Sequence, residues 1–140
     1  MIDLMPSVFG LVGVIIGGLL SYTVQGKHQR DMEERRDRRD KHIAYNQFLL
    51  NDGTRPPVFF NHIINAYDDF DWAIYSEGPR KVLYENLHLL EDEIKTNVLQ
   101  MDMVAERVEA MGIEDDDIAE LCDRYIKIRK AIKDDYKNDL

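Results

Sequence analysis

Glu85-Asn86-Leu87-His88 is an E-x-x-H, the spacing that lets one helical turn offer a carboxylate and an imidazole to a metal held inside a helical bundle. Such a centre needs a second E-x-x-H, and the chain has none. Leu83, Leu87 and Leu90 also mark the stripe expected to be buried, which turns Glu85 and His88 toward other faces. Glu114-Asp115-Asp116-Asp117 has the acidity of a calcium loop without its alternating ligand spacing or central glycine; carboxylates at a helix start complement the macrodipole instead. Asp68, Asp69 and Asp71 lack both spacing and partners for a metal. Cys122, the single cysteine, falls on an apolar stripe, where a thiol is buried and inert; alone it makes no internal disulfide and fits a reducing compartment. There is no Gly-rich phosphate loop and no Gly-x-Ser-x-Gly elbow. We therefore assign no catalytic, cofactor-binding or metal-ligating residue, expect no cofactor, and do not expect an enzyme.

The elements that carry these residues begin with an anchor. Met5 to Val24 is an uncharged run of twenty apolar and small residues, the length that crosses a hydrocarbon core of ~30 Å. A cleaved signal peptide would need a basic segment before the run, where only Asp3 is charged, and a better cleavage site than Leu19-Leu20-Ser21-Tyr22-Thr23. Lys27, Arg30, Arg35, Arg36, Arg38, Arg39 and Lys41 come after the run, and no basic residue precedes it. The positive-inside rule then predicts a single-pass protein of the cell (inner) membrane, N-terminus outside and C-terminus cytoplasmic. Gly10, Gly13, Gly17 and Ser21 share one helical face, a small-residue pattern suited to close packing against another transmembrane helix, from a second copy or another protein.

Residues 25–42 read as a charged juxtamembrane stalk. Opposite charges lie four apart at Lys27/Asp31, Arg30/Glu34, Asp31/Arg35, Glu34/Arg38, Arg36/Asp40 and Asp37/Lys41, each pair adding ~0.2–0.5 kcal/mol to a helix already nucleated by the anchor. The helix is expected to run to about Leu50, where Asn51-Asp52-Gly53-Thr54-Arg55-Pro56-Pro57 breaks it.

Residues 43–140 read as an acidic helical cytoplasmic module, with eleven basic and twenty-one acidic residues from 42 onward. That balance repels nucleic acid, so no nucleic-acid partner is expected. A second helix is predicted over Val58–Tyr75, with Phe60, Ile63, Tyr67, Phe70 and Ile74 on one face, ending at Gly78-Pro79. A third carries a heptad seam: Leu83, Leu87, Leu90, Ile94, Asn97, Met101, Val104, Val108 and Met111 alternate in steps of four and three. Asn97 is its one polar position; it either fixes register or turns to the rim while Val98 takes its place. After Gly112, a fourth helix presents Ile118, Leu121, Tyr125, Ile128 and Ile132 on one face. The predicted fold is all-α: an N-terminal transmembrane helix, a charged stalk, then an antiparallel, coiled-coil-like helical bundle.

The Gly-rich run ending in Gly-Gly-Leu-Leu-Ser, then Glu34-Arg35-Arg36-Asp37-Arg38-Arg39, then Ala44-Tyr45-x-x-Phe48-Leu49, resembles small bacterial and bacteriophage single-pass membrane proteins with an Arg/Glu-rich juxtamembrane helix. The resemblance covers about residues 10–50. It implies a bacterial or phage origin and a cytoplasm-facing module, and transfers no function. The expected function is a membrane-tethered adaptor, accessory or regulatory subunit. Its partners are membrane lipid and a protein, or a second copy of itself, engaged through the transmembrane and heptad faces. The alternative is a membrane-active oligomer of holin-like or superinfection-exclusion type.

Overall fold

The computed structural model describes the backbone of residues 5–138 and the side chains of residues 13–138. It is mostly helical, with a small two-stranded sheet. Helix α1 (Met5–Thr54) is 50 residues long, and the chain separates into two units, residues 1–38 and residues 39–140.

In the first unit, side chains from Gly13 to Arg38 are exposed throughout, Gly26 being intermediate. Val14 is 75% exposed and Leu19 61%. Helical hydrogen bonding satisfies this backbone from within, so an apolar stretch and a charged stretch can both be helical. No helix of the described residues is long and apolar enough to cross a membrane. Met5–Val24 as read from the sequence starts upstream of the described side chains, and Gly10 lies outside them.

In the second unit the sequence and the structure part company three times. The first concerns the end of α1. Asn51-Asp52-Gly53 does not break the helix; Asp52 is buried, Arg55 N–H still donates to the Asn51 carbonyl at 2.9 Å, and the Thr54 hydroxyl donates to the Leu50 carbonyl at 2.7 Å. The break comes at Pro56-Pro57, which cannot donate and which bar helical geometry in the residue ahead of them.

Second, the helix predicted over Val58–Tyr75 is an antiparallel hairpin, so the fold is not all-α. Strand β1 (Val58–Asn61) pairs with β2 (Ala66–Phe70), Val58 opposite Phe70 and Asn61 opposite Ala66, with a register irregularity at Phe59/Phe60. Aromatic and β-branched residues at 58–60 favour a strand, and turn chemistry fixes the reversal. The Asn61 side chain accepts from Ile63 N–H at 2.9 Å and donates to Asp68 at 2.6 Å, while Asn65 takes a left-handed φ of 53°. Ile63, expected on a core face, is 94% exposed at the tip.

The third departure divides the heptad run. After α2 (Trp72–Glu77), capped by Asp71 accepting from Ile74 N–H at 3.0 Å, helix α3 starts at Pro79 and stops at Glu85. Asn86 turns its amide onto the Val82 carbonyl at 2.8 Å and so competes with the backbone. A 3₁₀ turn (Leu87–Leu89) and an extended Leu90 come next, before α4 (Asp92–Met111). The predicted single helix is thus two helices and a turn.

Helix α5 (Asp115–Asn138) folds back along α4 after Gly112, whose φ of 87° suits glycine. Asp117 closes this corner: its carboxylate accepts from Glu114 N–H at 3.0 Å and from Arg107 Nε at 3.1 Å. Tyr45 and Phe48 of α1, Tyr75 of α2, Leu83 of α3, Ile94, Val98 and Met101 of α4, and Ile128 and Ile132 of α5 form the core. Tyr125 lies among its aromatic rings, 5.7 Å from Phe48, 6.2 Å from Phe70 and 5.9 Å from Tyr75.

Candidate functional site

Two polar clusters within residues 39–140 bear on a candidate site. In the first, Asp52 accepts from the Tyr125 hydroxyl at 2.8 Å and lies 3.6 Å from Arg129. Arg129 in turn donates to the Tyr67 hydroxyl at 2.9 Å and stands over that ring at 5.5 Å. Burial, and then the Asp52 charge, hold the Tyr125 phenol far above its ordinary pKa, so it is a permanent donor. This cluster joins the last turn of α1 to α5 and β2. Its groups bond to one another across three elements, so it acts as an internal clasp.

The second cluster opens onto a cleft. Arg80 of α3 grips Asp102 of α4 with two bonds, Nε at 2.9 Å and a terminal nitrogen at 3.0 Å. The Tyr84 hydroxyl donates to the same carboxylate, and the Arg80 guanidinium lies over the Tyr84 ring at 4.5 Å. The Asp102 hydrogen bond raises the Arg80 pKa further, and burial, followed by its own hydrogen bond to Asp102, raises the Tyr84 phenol. Beneath them the Tyr75 hydroxyl is buried without a hydrogen-bond partner; burial, then Asp102, push its pKa well up. The cleft beside this cluster has a volume of about 480 Å³, within the ~300–1,000 Å³ of ordinary binding pockets. Phe70, Trp72, Val108, Ile118 and Leu121 supply its apolar wall, and Glu106 and Glu109 of α4 also line it.

Of the residues singled out from the sequence, Gly13, Gly17 and Ser21 are exposed, and a Cβ on either glycine would meet nothing within 4 Å. Leu83, Leu90, Ile94, Met101 and Val104 are buried, Leu87 and Val108 half-buried, and Met111 is 82% exposed. Asn97 and Val98 are both buried: Val98 faces the core, while Asn97 donates to the Glu93 carbonyl at 2.9 Å and accepts from Arg124 at 3.2 Å. Glu85 and His88 are exposed. Among the described residues, no group of three or more His, Cys, Asp or Glu side chains could hold a metal. Cys122 is buried, within 3.4 Å of the Asp69 carbonyl, and burial with the Asp69 and Asp68 charges pushes its thiol up to about 11. A thiol protonated at neutral pH is a poor nucleophile.

Sequence reasoning misses Arg80, Asp102, Tyr84 and Trp72. The four-residue step from Arg80 to Tyr84 places them on one helical face, but Asp102 lies 22 residues from Arg80 and meets it only through the packing of α3 on α4. What the cleft offers is apolar surface with a fixed polar edge, a binding chemistry. Compared with models of protein families, with curated proteins and with solved structures, the chain matches none.

Proposed function

We propose that this chain is a membrane-tethered helical interaction module, an adaptor or accessory subunit that holds a partner protein at the cytoplasmic face of the membrane. The observation that carries the reading is the uncovered apolar surface of α1: Val14, Ile15, Ile16, Leu19, Leu20 and Val24 are all at least 52% exposed, on every side of the helix. An apolar surface of that kind is stable where lipid rather than water is the solvent. The basic residues from Lys27 to Lys41 support the orientation. The second unit supports binding, since its cleft combines apolar walls with a closed ion pair.

The test is topology in intact cells. In a Cys122→Ser background, a membrane-impermeant thiol probe should label a cysteine replacing Asp3 and miss one replacing Asn138. The reverse pattern overturns the orientation. Extraction of the whole chain by alkaline carbonate overturns the tether itself.

A further inference from the structure

We propose that the cleft along α4 is the docking groove for a basic amphipathic helix of the partner protein, which seats an apolar side chain between Trp72 and Val108 and sets Lys or Arg against Glu106 and Glu109. This rests on the reading of the chain as an interaction module and names the partner's chemistry.

Charge complementarity points to the occupant. Glu106 and Glu109 are exposed at the cleft and, among the described residues, neither has an ion-pair partner. The remaining charges there, Arg80 and Asp102, neutralise each other through their two-bond grip. The lip of an otherwise apolar cleft therefore carries two uncompensated negative charges, in a module that is acidic overall. A cationic group beside an apolar one satisfies both features, whereas an acidic or purely polar segment satisfies neither.

The extent of the surface favours a helix over a small molecule. Leu99 and Met103, 49% and 60% exposed, lie on the α4 face adjoining Glu106, at the four- and three-residue steps of neighbouring turns. From Leu99 to Glu109 this strip runs ~15 Å along α4, the length of about three helical turns, and a partner helix laid on it presents anchors at i, i+3 or i+4, and i+7. The chain's own basic stretch is a poor occupant. Between Lys27 and Lys41 it offers Met32 as its only large apolar side chain.

The experiment uses the full chain in phosphatidylcholine nanodiscs and its single tryptophan, Trp72, which lines the cleft. The probes are two synthetic, tryptophan-free amphipathic peptides of about four turns, one with a leucine face flanked by lysines, the other with the lysines replaced by glutamates. The lysine peptide should shift Trp72 emission saturably, and the glutamate peptide should not. Two variants should each weaken the lysine peptide by about tenfold: Glu106→Lys with Glu109→Lys, which reverses the rim, and Ala105→Phe, which fills the cleft without changing charge. Reversing two exposed carboxylates elsewhere, Glu93→Lys with Asp134→Lys, should leave it within about twofold.

Equal weakening by the remote reversal would reduce the effect to net charge and overturn the groove. So would binding that Ala105→Phe leaves unchanged, an absent Trp72 response, or an equal emission change when the lysine peptide is added to nanodiscs that lack the chain. Self-association abolished by Ala105→Phe in the absence of peptide would assign the groove to a second copy instead. The topology test is independent of these outcomes: a failed groove leaves the tether standing, and a failed tether leaves a measured peptide affinity intact.

Discussion

Helix α1 contains two stretches of opposite character. From 13 to 38 every position but Gly26 is exposed, whether apolar, as at Leu19, or charged, as at Arg36. From 44 onward Ala44, Tyr45, Phe48 and Asp52 are buried at steps of one, three and four, a single stripe. Both stretches are equally helical, so backbone hydrogen bonding does not distinguish them. What differs is whether apolar residues are confined to one face. A stripe can be covered by α5, as Phe48 against Tyr125 and Tyr45 bonded to Asp135 at 2.7 Å show. An apolar surface that runs all round a helix cannot be covered by packing on one side.

The sharpest way to break this comparison is to truncate one residue of each kind. Phe48→Ala should destabilise residues 39–140 by about 3–5 kcal/mol, since the ring is fully buried, while Leu19→Ala should leave that unfolding transition unchanged. Denaturant titration of the full chain in micelles, followed by Trp72 emission, measures both. Equal effects would mean that the apolar stretch of α1 is part of the same folded core.

The second largest effect is expected at the divided heptad run. Leu90→Ala should cost about 2–4 kcal/mol, and Glu85→Ala and His88→Ala should each change stability by less than about 0.5 kcal/mol. Metal-dependent melting lost with His88→Ala would reverse the assignment of these two exposed residues and revive a metal centre.

A smaller effect belongs to the α4–α5 corner. The Arg107 hydrogen bond, then the Glu114 amide, hold the Asp117 carboxyl below the usual carboxylate range. A depressed pKa contributes stability that is present above the unfolded value of about 3.9 and is lost as pH falls through the folded one. Melting temperature should therefore fall on acidification below about pH 4, and Asp117→Asn should flatten that part of the profile. An identical acid slope in the variant would place the sensitivity elsewhere.

The smallest effect on a single chain, and the most informative about α1, is Gly13→Ile with Gly17→Ile. A side chain at either position meets nothing within 4 Å, and isoleucine is at least as apolar as glycine, so insertion and helicity should be unchanged. Weaker crosslinking between transmembrane helices would then report a packing partner on that face. Unchanged crosslinking would make the glycines compositional.

Much of the fold was legible in local pattern. The helical periods of α4 and α5 stand in the sequence because one stripe of each must be apolar, and Gly112 marks the corner between them. The hairpin was not legible. Phe60, Ile63, Tyr67 and Phe70 step by three and four, a helical period, and the Asn61 turn and the left-handed Asn65 belong to a reversal that this period does not register. Nor did periodicity reveal that Asn86 would stop α3, because apolar spacing continues through Leu87 and Leu90 whether the backbone does or not.

Composition and order alone determined the uncharged run, the basic stretch behind it and the acidity of residues 43–140, because those properties belong to the covalent chain. The candidate site belongs to packing. Arg80 and Asp102 are ordinary surface residue types until α3 lies on α4, and Trp72 lines a cleft only because the hairpin and α2 close one side of it. Such a site is written in pairs of residues far apart in sequence, and no local period encodes which distant residue a side chain will meet.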